Sequence, residues 1–346
     1  RNYGAIRKKA KRIRRKKKGK MAKIEILQGN CIDKIKELED NSIDCVVSSP
    51  PYFGLRDYGV DGQFGLEKTY QDYINNTIKV FETFKPKLKD TGTIWWNVGD
   101  SYSSGSRKTT TLQTVRKPKY NEISKSKQKY LNGLIVRPSI QTGIKEKDLL
   151  MIPNRVAIAL QDAGWYIRSE IIWHKPNPMP ESVRDRPTNC HEKIWLITKS
   201  KKYYYDADAI REPTTEATKK RMESGWNGNQ KRNYASGEEQ NHLSNYFGSD
   251  KAKENALKGR NKRNVWTITT KPFKDAHFAT FPKDLIEPCI KAGCPEGGTV
   301  LDPFGGSGTT GIVAALNNRK SILIELNKDY IDIANKRIEK EVGLFI

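Results

Sequence analysis

The chain has 346 residues, 36% of them hydrophobic, with 63 Lys and Arg against 40 Asp and Glu and a formal net charge of +23. This composition permits one large or two modest cores without disulfide staples, and the cationic excess points to a polyanionic partner, most simply nucleic acid. The five cysteines (Cys31, Cys45, Cys190, Cys289, Cys294) form no Cys-x-x-Cys, which argues against a zinc module and suits a reducing cytoplasm, and no run is apolar enough for a membrane span or a secretory signal.

Residues 1–20 form a basic run without a single acid, a composition that predicts a disordered tail with non-specific affinity for nucleic acid. "MAKIEILQGN" at Met21 reads as a start, so the tail reads as upstream sequence or as a fragment of something longer. From Lys23 onward short apolar runs alternate with helical stretches. "KIEILQ" and "IDCVVSS" predict strands, "TYQDYINNTIKVFETFKPKL" a helix and "GTIWWNV" a strand. "IPNRVAIALQDAG" predicts a helix ended by Gly164, followed by strands at "YIRSEIIWHK" and "EKIWLITKS". Toward the end come the helix "FPKDLIEPCIKAG", the strand "GTVLD", the helix "TTGIVAALNN", the strand "SILIEL" and the helix "KDYIDIANKRIEKEV". Such alternation predicts a layered α/β domain. Ser103 to Lys147 and Ala207 to Lys262 are polar, basic and poor in apolar periodicity; loops so long in a compact domain usually have a task.

Two motifs carry chemistry. "SSPPYFGLRDYG" (Ser48 to Gly59) ends an apolar strand in two prolines that cannot donate to a ladder. It reads either as a strand-ending turn or as a rigid loop aiming Ser49, two carbonyls and Tyr52 at something flat and polar. "TVLDPFGGSGTTGIVAA" is a strand, a glycine turn and a helix, with Glu325 closing the next strand about twenty residues on, where ribose hydroxyls are gripped in nucleoside-binding folds. Too little chain follows Gly311 for a dinucleotide fold. Asp302 beside the loop would repel a pyrophosphate but suits a ligand with an ammonium group, namely S-adenosylmethionine. No phosphate-binding GxxxxGK[ST] motif occurs.

With "SSPPY" before "DPFGGSGTT" in one basic chain, the sequence resembles the beta group of amino DNA methyltransferases, which methylate cytosine N4 or adenine N6. The resemblance covers roughly Ile24 to Val342 and includes "GTIWWNVGDSY", the stretch from Ile167 through "HKPNPMPESVRDRPTNCHEKIWLITKSKKYYYD", and "HFATFPKDL". It implies a Rossmann-like S-adenosylmethionine-dependent methyltransferase fold with a mostly parallel seven-stranded sheet, permuted motif order and a DNA-recognition insert. The implied layout is a catalytic half over 21–206 with an insert at 103–147, a target-recognition region over 207–265 and a cofactor half over 266–346. The family's cofactor pocket falls on Asp302, Phe304, Gly305, Gly306, Gly308, Thr309 and Glu325, with Phe281, Pro282 and Lys283 ahead of the glycine strand. Asn30 stands where relatives commonly carry Asp. Ser49, Pro50, Pro51 and Tyr52 form the catalytic set. There, Ser49 Oγ and the Pro50 carbonyl accept hydrogens of the exocyclic amine, and the Tyr52 ring receives an extruded base.

Ser at the first motif position mostly accompanies cytosine N4 in the family, and Asp adenine N6. Adenine N6 methylation is therefore the nearest rival, and a non-catalytic DNA-binding protein that keeps the fold is the rival of another class. Duplex DNA is the implied partner and a cognate restriction endonuclease a further candidate. Lys175, Arg184 and Arg186 read as a backbone clamp. Arg221, Lys231, Arg232, Arg260, Lys262 and Arg263 read as phosphate contacts and base readers. "KKYYYD" reads as a strand edge or, equally, as a ring wall for the flipped base. Cys289, in a Pro-Cys pair on a predicted helix, reads as a core residue, and the four histidines share no metal-ligand spacing.

Overall fold

The computed structural model describes residues 23–55, 58–103, 144–224, 250–270 and 281–343. It runs β1 (Ile24–Gln28), α1 (Cys31–Lys36), β2 (Ile43–Ser48), α2 (Tyr70–Phe84), β3 (Leu88–Val98), α3 (Ile152–Asp162), β4 (Tyr166–His174) and β5 (His191–Thr198). There follow α4 (Glu216–Ser224), α5 (Asp250–Lys258), β6 (Val265–Thr267), α6 (Lys283–Gly293), β7 (Thr299–Asp302), α7 (Thr309–Leu316), β8 (Lys320–Glu325) and α8 (Lys328–Val342). The strands form one eight-stranded sheet in the order β1-β8-β7-β2-β3-β5-β4-β6. All seven strands read from the sequence are present. The eighth, β6, is a three-residue edge strand pairing Val265–Thr267 with Ile172–His174, too short to give a periodic signal. Pairing is parallel except where β5 runs against both β3 and β4.

Every residue of β2 is buried, as a parallel strand covered on both faces requires. β3 divides its side chains by the period of two. Ile94, Trp96 and Val98 join a core with Phe81 and Phe84 of α2 and Leu160 of α3, each aromatic ring contributing roughly 1.5–3 kcal/mol by burial. Thr93 and Trp95 face α6, where Thr93 Oγ1 donates to the Gly293 carbonyl at 3.0 Å. A Cβ on Gly293 would lie 2.3 Å from Trp95 Nε1, so only glycine lets α6 sit this close. Thr69 caps α2, accepting from Asp72 N at 3.1 Å, and Gly164 at φ +85 turns the chain out of α3. Cys289 is 1% exposed in the core.

The structure divides into two compact units, 1–204 with 265–346, and 205–264. In the second, α4 and α5 are nine-residue helices of strongly polar composition, too short for hydrophobic periodicity to predict. Glu212 bridges Arg260 through paired backbone hydrogen bonds of 2.9 Å. "KKYYYD" forms no strand. Tyr204 N donates to the Thr91 carbonyl and Arg168 Nε to Tyr203 Oη, both at the starting ends of β3 and β4. The base of the 103–147 insert is closed by Ser103 N to Asp148 O and Lys147 N to Ser103 O, each 2.8 Å. Residues 104–143 and the 1–20 tail lie outside the described residues. Among the described residues no helix is long and apolar enough to cross a membrane.

Candidate active site

Because β1, β8, β7, β2 and β3 are mutually parallel, their carboxyl ends share one edge of the sheet. Ligands of open α/β sheets bind at such an edge. It brings together Asn30, Glu325, Asp302 with the glycine turn, the Ser49–Tyr52 loop, and Asn97 to Asp100. Antiparallel β5 adds its first residues to this edge, and β4 its last, so Glu192 and Lys175 arrive there too.

Asp302 is 1% exposed and accepts from three internal donors. Its Oδ1 accepts from Ser48 Oγ at 2.6 Å and Phe304 N at 3.1 Å, and its Oδ2 from Thr310 Oγ1 at 2.5 Å. This corrects the expectation that its charge faces a ligand ammonium: the carboxylate ties β2 to the glycine turn from inside. Burial pushes its carboxyl up from 3.8 to about 6, against those hydrogen bonds. A carboxyl raised on folding contributes stability below its unfolded value that is lost as pH rises through the folded one. Relative to Asp302→Asn, the wild type should therefore lose at most about 3 kcal/mol between pH 4 and 6, measured by denaturant melts across that range.

The glycine turn follows. Gly306 (φ +49) donates to Glu325 Oε2 and Asn327 N to Oε1, each at 2.8 Å, and Gly308 (φ +80) caps α7. A Cβ on Gly305 would stand 2.9 Å from Leu323 Cβ and one on Gly308 3.0 Å from Ala334 Cβ, so these two glycines serve packing. A Cβ on Gly306 would meet nothing nearer than the Phe304 carbonyl at 3.9 Å; the turn opens there onto free space. Thr309 is buried and its hydroxyl accepts from Arg337 Nη1 at 3.0 Å. The Phe304 ring lies between Phe64 and Trp96, at 5.3 and 6.1 Å. Asn30 caps α1, its Oδ1 accepting from Ile32 N at 2.9 Å, which leaves its NH2 for any ligand. Pro282 caps α6, and half-buried Phe281 precedes it. Lys283 is paired with Glu341, so the expected ligand contact is redirected into an ion pair.

The second motif stands beside this turn. Tyr73 Oη donates to the Pro51 carbonyl at 3.1 Å and Gly54 N to the Gly65 carbonyl at 2.8 Å, holding the loop against α2. Tyr52 Oη lies 2.6 Å from Glu192 Oε2, 2.5 Å from Asn97 Nδ2 and 3.1 Å from Ser49 Oγ. Burial first, and then the Glu192 charge, push the Tyr52 hydroxyl well above its ordinary value, so it stays a donor. The Tyr52 ring rests on Gly99, where a Cβ would come 2.5 Å from Tyr52 Cε2. Gly99→Ala should therefore displace the ring and lower turnover by roughly tenfold, with ligand-free melting nearly unchanged; steady-state kinetics and melting curves check this. Burial also raises the Asp100 carboxyl, which accepts from Ser101 N and Ile152 N at 2.9 and 3.1 Å and so joins β3 to α3.

Lys175 is no backbone clamp. Its side chain is 19% exposed, paired with Glu192 and seated 4.4 Å from the Trp173 ring centre. Arg186 is likewise occupied, by Glu181 at 2.7 Å and over the Tyr102 ring at 3.8 Å, whereas Arg184 is exposed. In the second unit Arg260 and Arg263 both pair with Glu212, at 3.1 and 3.0 Å, and Lys262 is half-buried. Lys231, Arg232 and the Arg221 side chain lie outside the described residues. Sequence reasoning missed Asn97 and Glu192. The available signals were an amide within the apolar run Ile94–Val98 at the end of β3 and a carboxylate near the start of β5.

An α/β sheet with a glycine turn and an acidic residue closing the next strand, all at one carboxyl edge, is the arrangement of a nucleoside-binding fold. A family model described as DNA methylase matches residues 43–336. The chain is 42% identical over 316 residues to the type II methyltransferase M.Cfr9I of Citrobacter freundii, covering 91% of this chain and 88% of that one. M.SmaI of Serratia marcescens is 41% identical over 314 residues, covering 91% and 90%. Among solved structures, the PvuII DNA methyltransferase (cytosine-N4-specific) shares the fold, with a TM-score of 0.57 and 18% identity over 94% of each chain. A DNA modification methylase of Thermus thermophilus, TTHA0409, solved with S-adenosyl-L-methionine, follows at 0.52 and 19%, covering 92% of this chain and 96% of that one. The chain belongs to the N6_N4 family of DNA methylases, whose methyl donor is S-adenosylmethionine.

Proposed function

We propose that the chain methylates the N4 amine of cytosine at a specific sequence in duplex DNA. The observation that carries this reading is Ser49, set beside the glycine turn with its hydroxyl 3.1 Å from Tyr52 Oη. S-adenosylmethionine supplies an electrophilic methyl group on a sulfonium. The opening at Gly306, the Glu325 carboxylate and the Asn30 NH2 suit its adenosine, and Phe304 its apolar flank.

An exocyclic amine is a poor nucleophile because its lone pair is delocalised into the ring. Ser49 Oγ and the Pro50 carbonyl accept its two hydrogens and draw the nitrogen toward a tetrahedral shape. Pro50 serves because the Pro51 carbonyl is already committed to Tyr73. Tyr52 offers a ring face to the base, which has to leave the duplex to be reached. Ser at the first motif position favours cytosine, and the cytosine-N4-specific PvuII DNA methyltransferase has the same fold.

Purified protein with labelled cofactor and duplex DNA should place the label in the DNA fraction. Label that stays with the free cofactor overturns the reading. The region 207–265 is the proposed reader of sequence, with Arg260, Lys262 and Arg263 among its cations. Exchanging it for the corresponding region of a relative with another target should change the methylated motif, mapped by methylation-sensitive sequencing. An unchanged motif would move recognition to the 103–147 insert.

A further inference from the structure

The hydrogen bonds around Tyr52 close in only one way. A tyrosine oxygen has one proton to give and two lone pairs to receive with, while an ionised carboxylate only accepts. Glu192 Oε2 lies 2.6 Å from Tyr52 Oη and 2.7 Å from Asn97 Nδ2, so both donate to it. Turning the Asn97 amide over would set two acceptors face to face, so the carboxylate also fixes that side chain. Asn97 Nδ2 spends its other hydrogen on Tyr52 Oη at 2.5 Å. One lone pair of Tyr52 then remains, and Ser49 Oγ at 3.1 Å donates into it. Lys175 pairs with the other Glu192 oxygen, and their side chains are 19% and 16% exposed.

We propose that Glu192 is a positioning residue that sets the direction of this chain of hydrogen bonds, so that Ser49 Oγ turns only lone pairs toward the substrate amine. Without the carboxylate, Tyr52 is released to donate to Ser49, and Ser49 to aim its own proton at the amine, where it would repel the hydrogens it should accept. The inference rests on the reading of Ser49 as the amine acceptor. It gives Lys175 a part in the same device, in place of a DNA-backbone contact.

The test compares Glu192→Gln, Tyr52→Phe, their double variant and Ser49→Ala in the full chain, by steady-state kinetics on duplex DNA. Glu192→Gln should lower kcat roughly 10- to 100-fold, as loss of an outer hydrogen-bond partner does. KM for DNA and for cofactor should stay within about twofold, the split expected of an interaction made in the transition state. Tyr52→Phe breaks the link without touching the buried ion pair and should lose turnover comparably. The double variant should be no slower than Tyr52→Phe alone, because Glu192 acts through Tyr52. Glu192→Leu with Lys175→Met removes both charges together with the acceptor, so no lone charge is left without its partner, and the same kinetics are expected. Losses that multiply in the double variant overturn the proposal, as does wild-type turnover in either Tyr52→Phe or a folded Glu192→Gln while Ser49→Ala is impaired. Wild-type turnover in Ser49→Ala overturns the amine-acceptor reading itself, and with it this inference.

Discussion

Ser49→Ala should lower turnover on the order of 100-fold while leaving cofactor affinity and duplex binding close to wild type. The magnitude is that of removing one preorganised hydrogen-bonding group from the charge-developing centre of a reaction. The selectivity follows from position. Ser49 Oγ bonds to Tyr52, whereas the Asp302 network that holds the glycine turn runs through Ser48 and Thr310, so loss of the Ser49 hydroxyl leaves that network standing. Alanine also suits the extended backbone before a proline. Single-turnover kinetics with preloaded labelled cofactor, beside a gel-shift titration, measures both halves. Near-normal turnover would show that the serine does not activate the amine.

Gly306→Val should weaken S-adenosylmethionine binding by at least tenfold, about 1.4 kcal/mol, with a far smaller change in turnover at saturating cofactor. Two effects add. The backbone at Gly306 is at φ +49, where a β-branched residue is strained. The new side chain would also fill the opening where no protein atom lies within 3.9 Å of its Cβ. Isothermal titration with cofactor reads the loss, and ligand-free melting separates it from a general weakening of the fold. Gly305 and Gly308 behave differently: substitution there strikes Leu323 or Ala334 and should cost stability first.

The parts of the site legible in the sequence were those with local causes. Two prolines after a buried strand, and glycines between a strand and a helix, dictate backbone shape where they stand, so the sequence alone singles out Ser49, Tyr52, Gly306 and Glu325, which the fold gathers at one edge of the sheet. Glu192 reaches Tyr52 across 140 positions through antiparallel β5, and no spacing rule reports such a meeting. Asp302 was located, but its charge was considered without its burial: at 1% exposure it is turned inward onto three internal donors. Lys175 shows the same limit: a cation in a proline-rich loop resembles a phosphate contact until a half-buried carboxylate is found beside it. The helices α4 and α5 were illegible for another reason: nine strongly polar residues are too few to display a hydrophobic period.

The nature of the methylated base tests the account most directly. Plasmid DNA from a methylation-free host expressing the chain would be digested to nucleosides and resolved by mass spectrometry, with the Ser49→Ala variant in parallel. The account predicts N4-methyldeoxycytidine from the wild type and a strongly reduced yield from the variant. N6-methyldeoxyadenosine as the sole product would contradict the assignment of cytosine, while leaving the chain a DNA methylase.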